Sequence, residues 1–94
     1  MKQLRYGERI WLVSDEIADV LLDHAAALAR ADLAEHVVLN VLDINGTPER
    51  VEFLLGPATM MTAEPLPEEF EDPDNRDVET AMRARTAELG AAAE

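Results

Sequence analysis

The sequence predicts an α+β fold, with one amphipathic helix packed on a small, mainly antiparallel sheet of three to four strands in the order β-α-β-β-(β). Three observations carry this. A β-branched and aromatic run, Arg9 to Val13, leads straight into a capped helical pattern at Asp15. Two strand-like runs flank Asn45-Gly46, a strong short-range hairpin signal. Past residue 63 the chain turns acidic and proline-broken, then becomes helical again. The organisation that follows is a core at 1–63, an acidic connector at 64–76, a C-terminal helix at 77–90 and a frayed tail at 91–94.

Arg9-Ile10-Trp11-Leu12-Val13 lies between Gly7 and Ser14 and reads as a strand with two apolar faces. Ile10 and Leu12 point one way, Trp11 and Val13 the other. Ser14 suits an N-cap, and Asp15 and Glu16 place negative charge where the helix dipole favours it. The helical pattern runs from Asp15 to about Ala34. Ile17, Val20, Leu21, His24, Leu28 and Ala31 share one face, and Ala18, Leu22, Ala25 and Ala29 flank it. That apolar arc is wider than contact with one sheet needs. Leu22 and its alanine neighbours therefore call for a second covering surface.

The hairpin register is decided by chemistry. A two-residue turn at Asn45-Gly46 sets Leu39 opposite Glu52 and Val41 opposite Arg50. A three-residue loop, Ile44-Asn45-Gly46, sets Val37 opposite Phe53, Leu39 opposite Val51 and Asn40 opposite Arg50. The second choice sorts apolar from polar across the sheet, and it requires a positive φ at Gly46. Gly56-Pro57 ends the second strand of the hairpin, because proline donates nothing to a ladder. Ala58 to Ala63 is a weaker strand at the sheet edge or turning back. Trp11, Val13, Val38, Leu42 and Leu54 are assigned to the face away from the helix.

Residues 64–79 hold eight acids and one base, a net of -7 within a chain total of -12. Pro65, Pro67 and Pro73 bar a helix or central strand there. The stretch reads as an extended connector. From Asp74 to Leu89 capping acids and good helix formers return, with Gly90 as a stop. Val78, Ala81, Met82 and Leu89 give a thin apolar line interrupted by Arg85. Such a helix takes most of its stability from docking.

Composition excludes several function classes. The chain has no cysteine, so disulfides, thiolate metal sites and cysteine nucleophiles are absent. With no basic-then-apolar leader pattern at residues 1–13 and no apolar run near twenty residues, a cytoplasmic protein is expected. Lys2, Arg5, Arg9, Arg30 and Arg50 are scattered among ten acids in the first 63 residues. No nucleic-acid partner and no anionic membrane are expected from such a balance. A basic protein partner suits it. The plainer account of the acids is that they only keep the protein in solution.

Few residues are spaced for chemistry. Asp23-His24 and Glu35-His36 are the only acid–histidine neighbours, and a metal site needs three or four ligands converging on a point. Ser14 with His24 and Asp19 or Asp23 has the residue types of a nucleophilic triad, but Ser14 serves better as a cap. EFEDPDNRDVE lacks the central glycine of a calcium loop and carries a proline. Gly7, Gly46, Gly56 and Gly90 stand singly at element boundaries, unlike a phosphate-cradling loop. No catalytic residue, cofactor or metal ligand is assigned.

The expectation is a small non-enzymatic interaction module acting as a homodimer. Its candidate interface is Trp11, Val13, Leu22, Val38, Leu42, Leu54, Met60 and Met82. Core packing is the commoner fate of Trp11 and of the methionines. The alternative is an acidic, antitoxin-like inhibitor in which Glu68, Glu69, Glu71, Asp72 and Asp74 occupy a cationic site on a partner. A third reading places a ligand pocket between helix and sheet, with His24 as its titrating group.

Overall fold

The computed structural model describes residues 1–92. The strands are β1 (Lys2–Tyr6), β2 (Arg9–Val13), β3 (Glu35–Leu42), β4 (Pro48–Leu55) and β5 (Met61–Pro65); the helices are α1 (Asp15–Arg30) and α2 (Arg76–Ala92). The five strands form one sheet in the order β4-β3-β2-β1-β5, antiparallel throughout. Both helices pack on each other and lie over one face of it.

The β3–β4 hairpin has the bulged register. Val37 pairs with Phe53, Leu39 with Val51 and Asn40 with Arg50. Gly46 sits at φ +84°, and its N–H donates to the Asp43 carbonyl. β1 is the strand that sequence reading omits. Its only fully buried residue is Leu4, so no alternation announces it. A two-residue turn, Gly7-Glu8, joins it to β2, and Gly7 takes the positive φ (+61°) that such a turn needs at its first position.

Side-chain parity across the sheet places Trp11 and Val13 on the helix side, correcting their assignment to the outer face. The single β2–β3 pair, Leu12 with Leu42, puts those two residues together on the outer face. Trp11 and Val13 must then point inward, beside Leu4, Val41, Phe53 and Leu55. Phe53 packs edge-to-face with Trp11 and with Tyr6, at centroid distances of 5.3 and 5.4 Å. Burying a side chain of this kind contributes about 1.5–3 kcal/mol. The outer face has its own small cluster of Met1, Leu12 and Leu42, roofed by Leu66.

α1 stops at Arg30, short of the expected Ala34, without a glycine. Asp32 adopts φ 56°, and the Asp32 and Leu33 N–H groups bond back to the Ala29 and Leu28 carbonyls. That is the Schellman arrangement, built here on aspartate. α2 runs through Gly90 to Ala92, so the glycine is not its stop and Ala91 of the expected tail is helical. The remaining tail residues, Ala93 and Glu94, lie outside the described residues. Val78, Met82 and Leu89 dock α2 on the core, and Arg85, which interrupts their line, reaches Glu35 on β3.

Candidate functional site

Two features stand out, an acidic strap and a buried histidine. The strap is residues 66–75, which have no regular structure yet are fixed at both ends and in the middle. Leu66 donates its N–H to the Met1 carbonyl at 3.1 Å and packs on the outer-face cluster. Phe70 lays its ring against Gly46, where an added Cβ would come within 2.7 Å of Phe70 Cε1. Asn75 is held most firmly. Its Oδ1 accepts from the Asn40 N–H and its Nδ2 donates to the Asn40 carbonyl, both at 2.8 Å. Asn40 Nδ2 in turn donates to the Asp74 carbonyl at 2.9 Å.

This clip has a reason in the topology. β2 and β3 are paired only at Leu12–Leu42. Two residues along β3, the position facing Asn40 is Ser14, where β2 has given way to the α1 cap. The Asn40 main chain would lose its ladder partner there. The Asn75 amide presents one donor and one acceptor, as a strand backbone does, and fills the place.

Between the anchors the acids point outward. Glu68, Glu69, Glu71, Asp72 and Asp74 are all exposed. Asp74 holds Arg76 through both carboxylate oxygens at 3.0 Å and accepts the Arg76 N–H at 3.1 Å. Those hydrogen bonds, side chain first and main chain second, lower the Asp74 pKa below its ordinary value. Asp72, Pro73 and Asp74 then border a groove with Ser14, Glu16 and Glu79.

Among the described residues His24 is the one buried polar side chain, at 1% exposure. Nε2 lies 3.1 Å from Glu35 Oε1 and Nδ1 lies 3.1 Å from Thr86 Oγ1. A carboxylate only accepts, so Nε2 carries a proton toward Glu35; in the neutral imidazole Nδ1 is then the acceptor for the threonine hydroxyl. Glu35 also takes Arg85 Nε at 2.6 Å, and Arg85 bonds Glu88 as well; the Glu35 bond first, then Glu88, raises the Arg85 pKa. The set ties α1, β3 and α2 at one point. Hydroxyl, imidazole and carboxylate in a row resemble a nucleophilic triad. Yet Thr86 stands mid-helix, where the nearby main-chain N–H groups belong to the α2 ladder and offer no oxyanion site.

Sequence reading paired each histidine with its neighbouring acid. The fold instead takes one member from each pair, joining His24 to Glu35, while His36 reaches Glu52 at 3.1 Å. Ser14 caps α1 by accepting the Ile17 N–H, and is not near His24's ring nitrogens. Thr86 and Arg85 gave no sequence signal, because their partners lie 50 or more residues away.

The eight residues of the expected apolar interface divide evenly between buried and accessible positions. Trp11, Val13, Leu42 and Met82 are buried within the chain. Leu22 and Val38 are half-buried, and Leu54 and Met60 are 63% and 81% exposed. No group of three metal-ligating side chains occurs among the described residues, and no helix among them is long and apolar enough to cross a membrane. No family model, curated protein or solved structure matches the chain.

Proposed function

We propose that the protein is a non-enzymatic interaction module that presents its acidic strap to a cationic surface on a protein partner. The observation that supports this reading is the pinning of the strap at Leu66, Phe70 and Asn75. A charge run kept only for solubility gains nothing from being held rigid. A binding edge does, since a pre-ordered segment loses less entropy on association. The strap's exposed carboxylates suit lysine and arginine side chains, and long-range attraction speeds their encounter.

The test neutralises the strap and keeps its anchors: Glu68→Gln, Glu69→Gln, Glu71→Gln and Asp72→Asn together. Wild type and variant are each immobilised and exposed to extract of the native host. The reading expects proteins of high isoelectric point on the wild type only, released as salt rises from about 50 to 300 mM. Equal capture by the neutralised variant, or capture indifferent to salt, overturns it.

A further inference from the structure

We infer that β4, one edge of the sheet, pairs antiparallel with β4 of a second copy about a two-fold axis at Val51, joining the two sheets into one. This goes beyond the strap reading and does not depend on it. β4 is hydrogen-bonded to β3 alone. Asn75 holds the Asn40 N–H and C=O on the β2 side of β3, so both groups face away from β4. Arg50 lies opposite Asn40 and therefore turns its own N–H and C=O to the open edge. Alternation turns the Glu52 and Leu54 main chains the same way. The Leu54 carbonyl is occupied there, since the Tyr6 and Thr59 hydroxyls both reach it. No other strand, loop or turn among the described residues supplies a main-chain partner for Arg50 or Glu52.

Charge selects a second copy as the occupant and fixes its register. Arg50 and Glu52 are exposed neighbours on the outer face of β4. An axis at Arg50 sets that residue against the partner's Arg50, and an axis at Glu52 sets acid against acid. The axis at Val51 places Arg50 opposite the partner's Glu52 and Glu52 opposite the partner's Arg50. Opposite charges directly across a sheet stabilise it and like charges destabilise it. Arg50 has no ion-pair partner among the described residues, and Glu52 uses only Oε1, on His36. Edge charges of one sign keep strands apart. The change of sign between residues 50 and 52 makes β4 complementary to itself.

Main-chain bonding agrees with the same register. Arg50 and the partner's Glu52 exchange both their N–H and C=O groups, and the two-fold repeats the set. On the helix side half-buried Val51 meets the partner's Val51. At each end Pro48 comes opposite the partner's Leu54. Proline has no N–H to give, and the Leu54 carbonyl already has its donors, so the ladder ends there without leaving that acceptor unmet. An axis at Phe53 would centre the ladder on the occupied Leu54 carbonyls, and one at Glu49 on Pro48.

Sedimentation equilibrium on the intact protein tests this at about 0.15 M salt, where the screening length is about 8 Å. The expected mass approaches twice 10.4 kDa as concentration rises. Arg50→Glu alone and Glu52→Arg alone set like charges opposite one another, and each weakens the dimer about tenfold or more. The double exchange restores the complementary order and the affinity to within about threefold. Amide hydrogen exchange locates the contact. The Arg50 and Glu52 N–H groups exchange freely in dilute protein and slow about tenfold or more as the dimer forms. Those of Val51 and Phe53, turned toward β3, are protected at every concentration. A wild type that remains monomeric at about 1 mM overturns the inference, since association that weak is no specific contact. So does a dimer whose Arg50 and Glu52 amides stay unprotected, which must use another surface, or a double exchange that fails to restore it.

Discussion

Asp32 holds the only left-handed backbone among the described non-glycine residues. It also sets a negative side chain at the negative end of α1. Both features cost free energy: the conformation crowds Cβ against a carbonyl, and the charge opposes the helix dipole. Asp32→Gly removes both while keeping the two closing hydrogen bonds. We expect a gain of about 0.5–1 kcal/mol in urea unfolding. A loss would show that the Asp32 side chain has a favourable role at this turn. Thr86→Val works the other way. It is close in shape but takes the donor from His24 Nδ1, leaving a buried acceptor unmet at a cost of about 1–2 kcal/mol. A cost under about 0.5 kcal/mol would mean that water or a tautomer change replaces the hydroxyl.

Among the elements, α2 depends on its entry. Asp74 binds the Arg76 main chain and side chain, and the next residue makes the clip to β3. The Asp74 pKa is lower in the folded protein than its ordinary 3.8. The unfolded chain therefore takes the proton more readily. The stabilisation is complete above the ordinary value and is lost as pH falls through the depressed one. The stability difference between wild type and Asp74→Asn should be constant near neutrality and shrink below pH 3.8. A difference that stays constant down to pH 2 would assign the effect of the substitution to geometry rather than charge.

The same elements show what sequence can carry. Asn45-Gly46 and the alternation of Val37, Leu39 and Val51, Phe53 are local, so the hairpin register was readable from neighbours alone. The side of the sheet that Trp11 faces was not. It hangs on one pair, Leu12–Leu42, formed across an intervening helix. The strap was legible as charge and proline, but not as an ordered segment. Its main anchor joins Asn75 to Asn40, 35 residues away, and an asparagine near a helix start has commoner uses. His24 stood out as polar on an apolar face, yet its partners come from β3 and α2, whose approach only the packed molecule decides.

At the scale of the whole molecule, charge opposes compactness. Twenty acids face eight bases in a body of 41 × 26 × 21 Å. At 0.01 M salt the screening length is about 30 Å, so acids on opposite sides repel one another; at 1 M it is about 3 Å, and only contacts remain. Salt also weakens the attractive pairs, such as Arg85–Glu35 and Arg83–Glu79. Those are few and partly exposed, and exposed pairs contribute about 0–1 kcal/mol each. Repulsion among the surplus acids should therefore decide the sign. We expect the urea midpoint to rise as sodium chloride goes from about 10 mM to 0.5 M, with a smaller rise for the Glu68, Glu69, Glu71 and Asp72 neutralised variant, which is also the more stable at low salt. A midpoint that falls with salt would mean the ion pairs around Glu35 outweigh the summed repulsion. The strap's acids would then add too little repulsion to decide the sign.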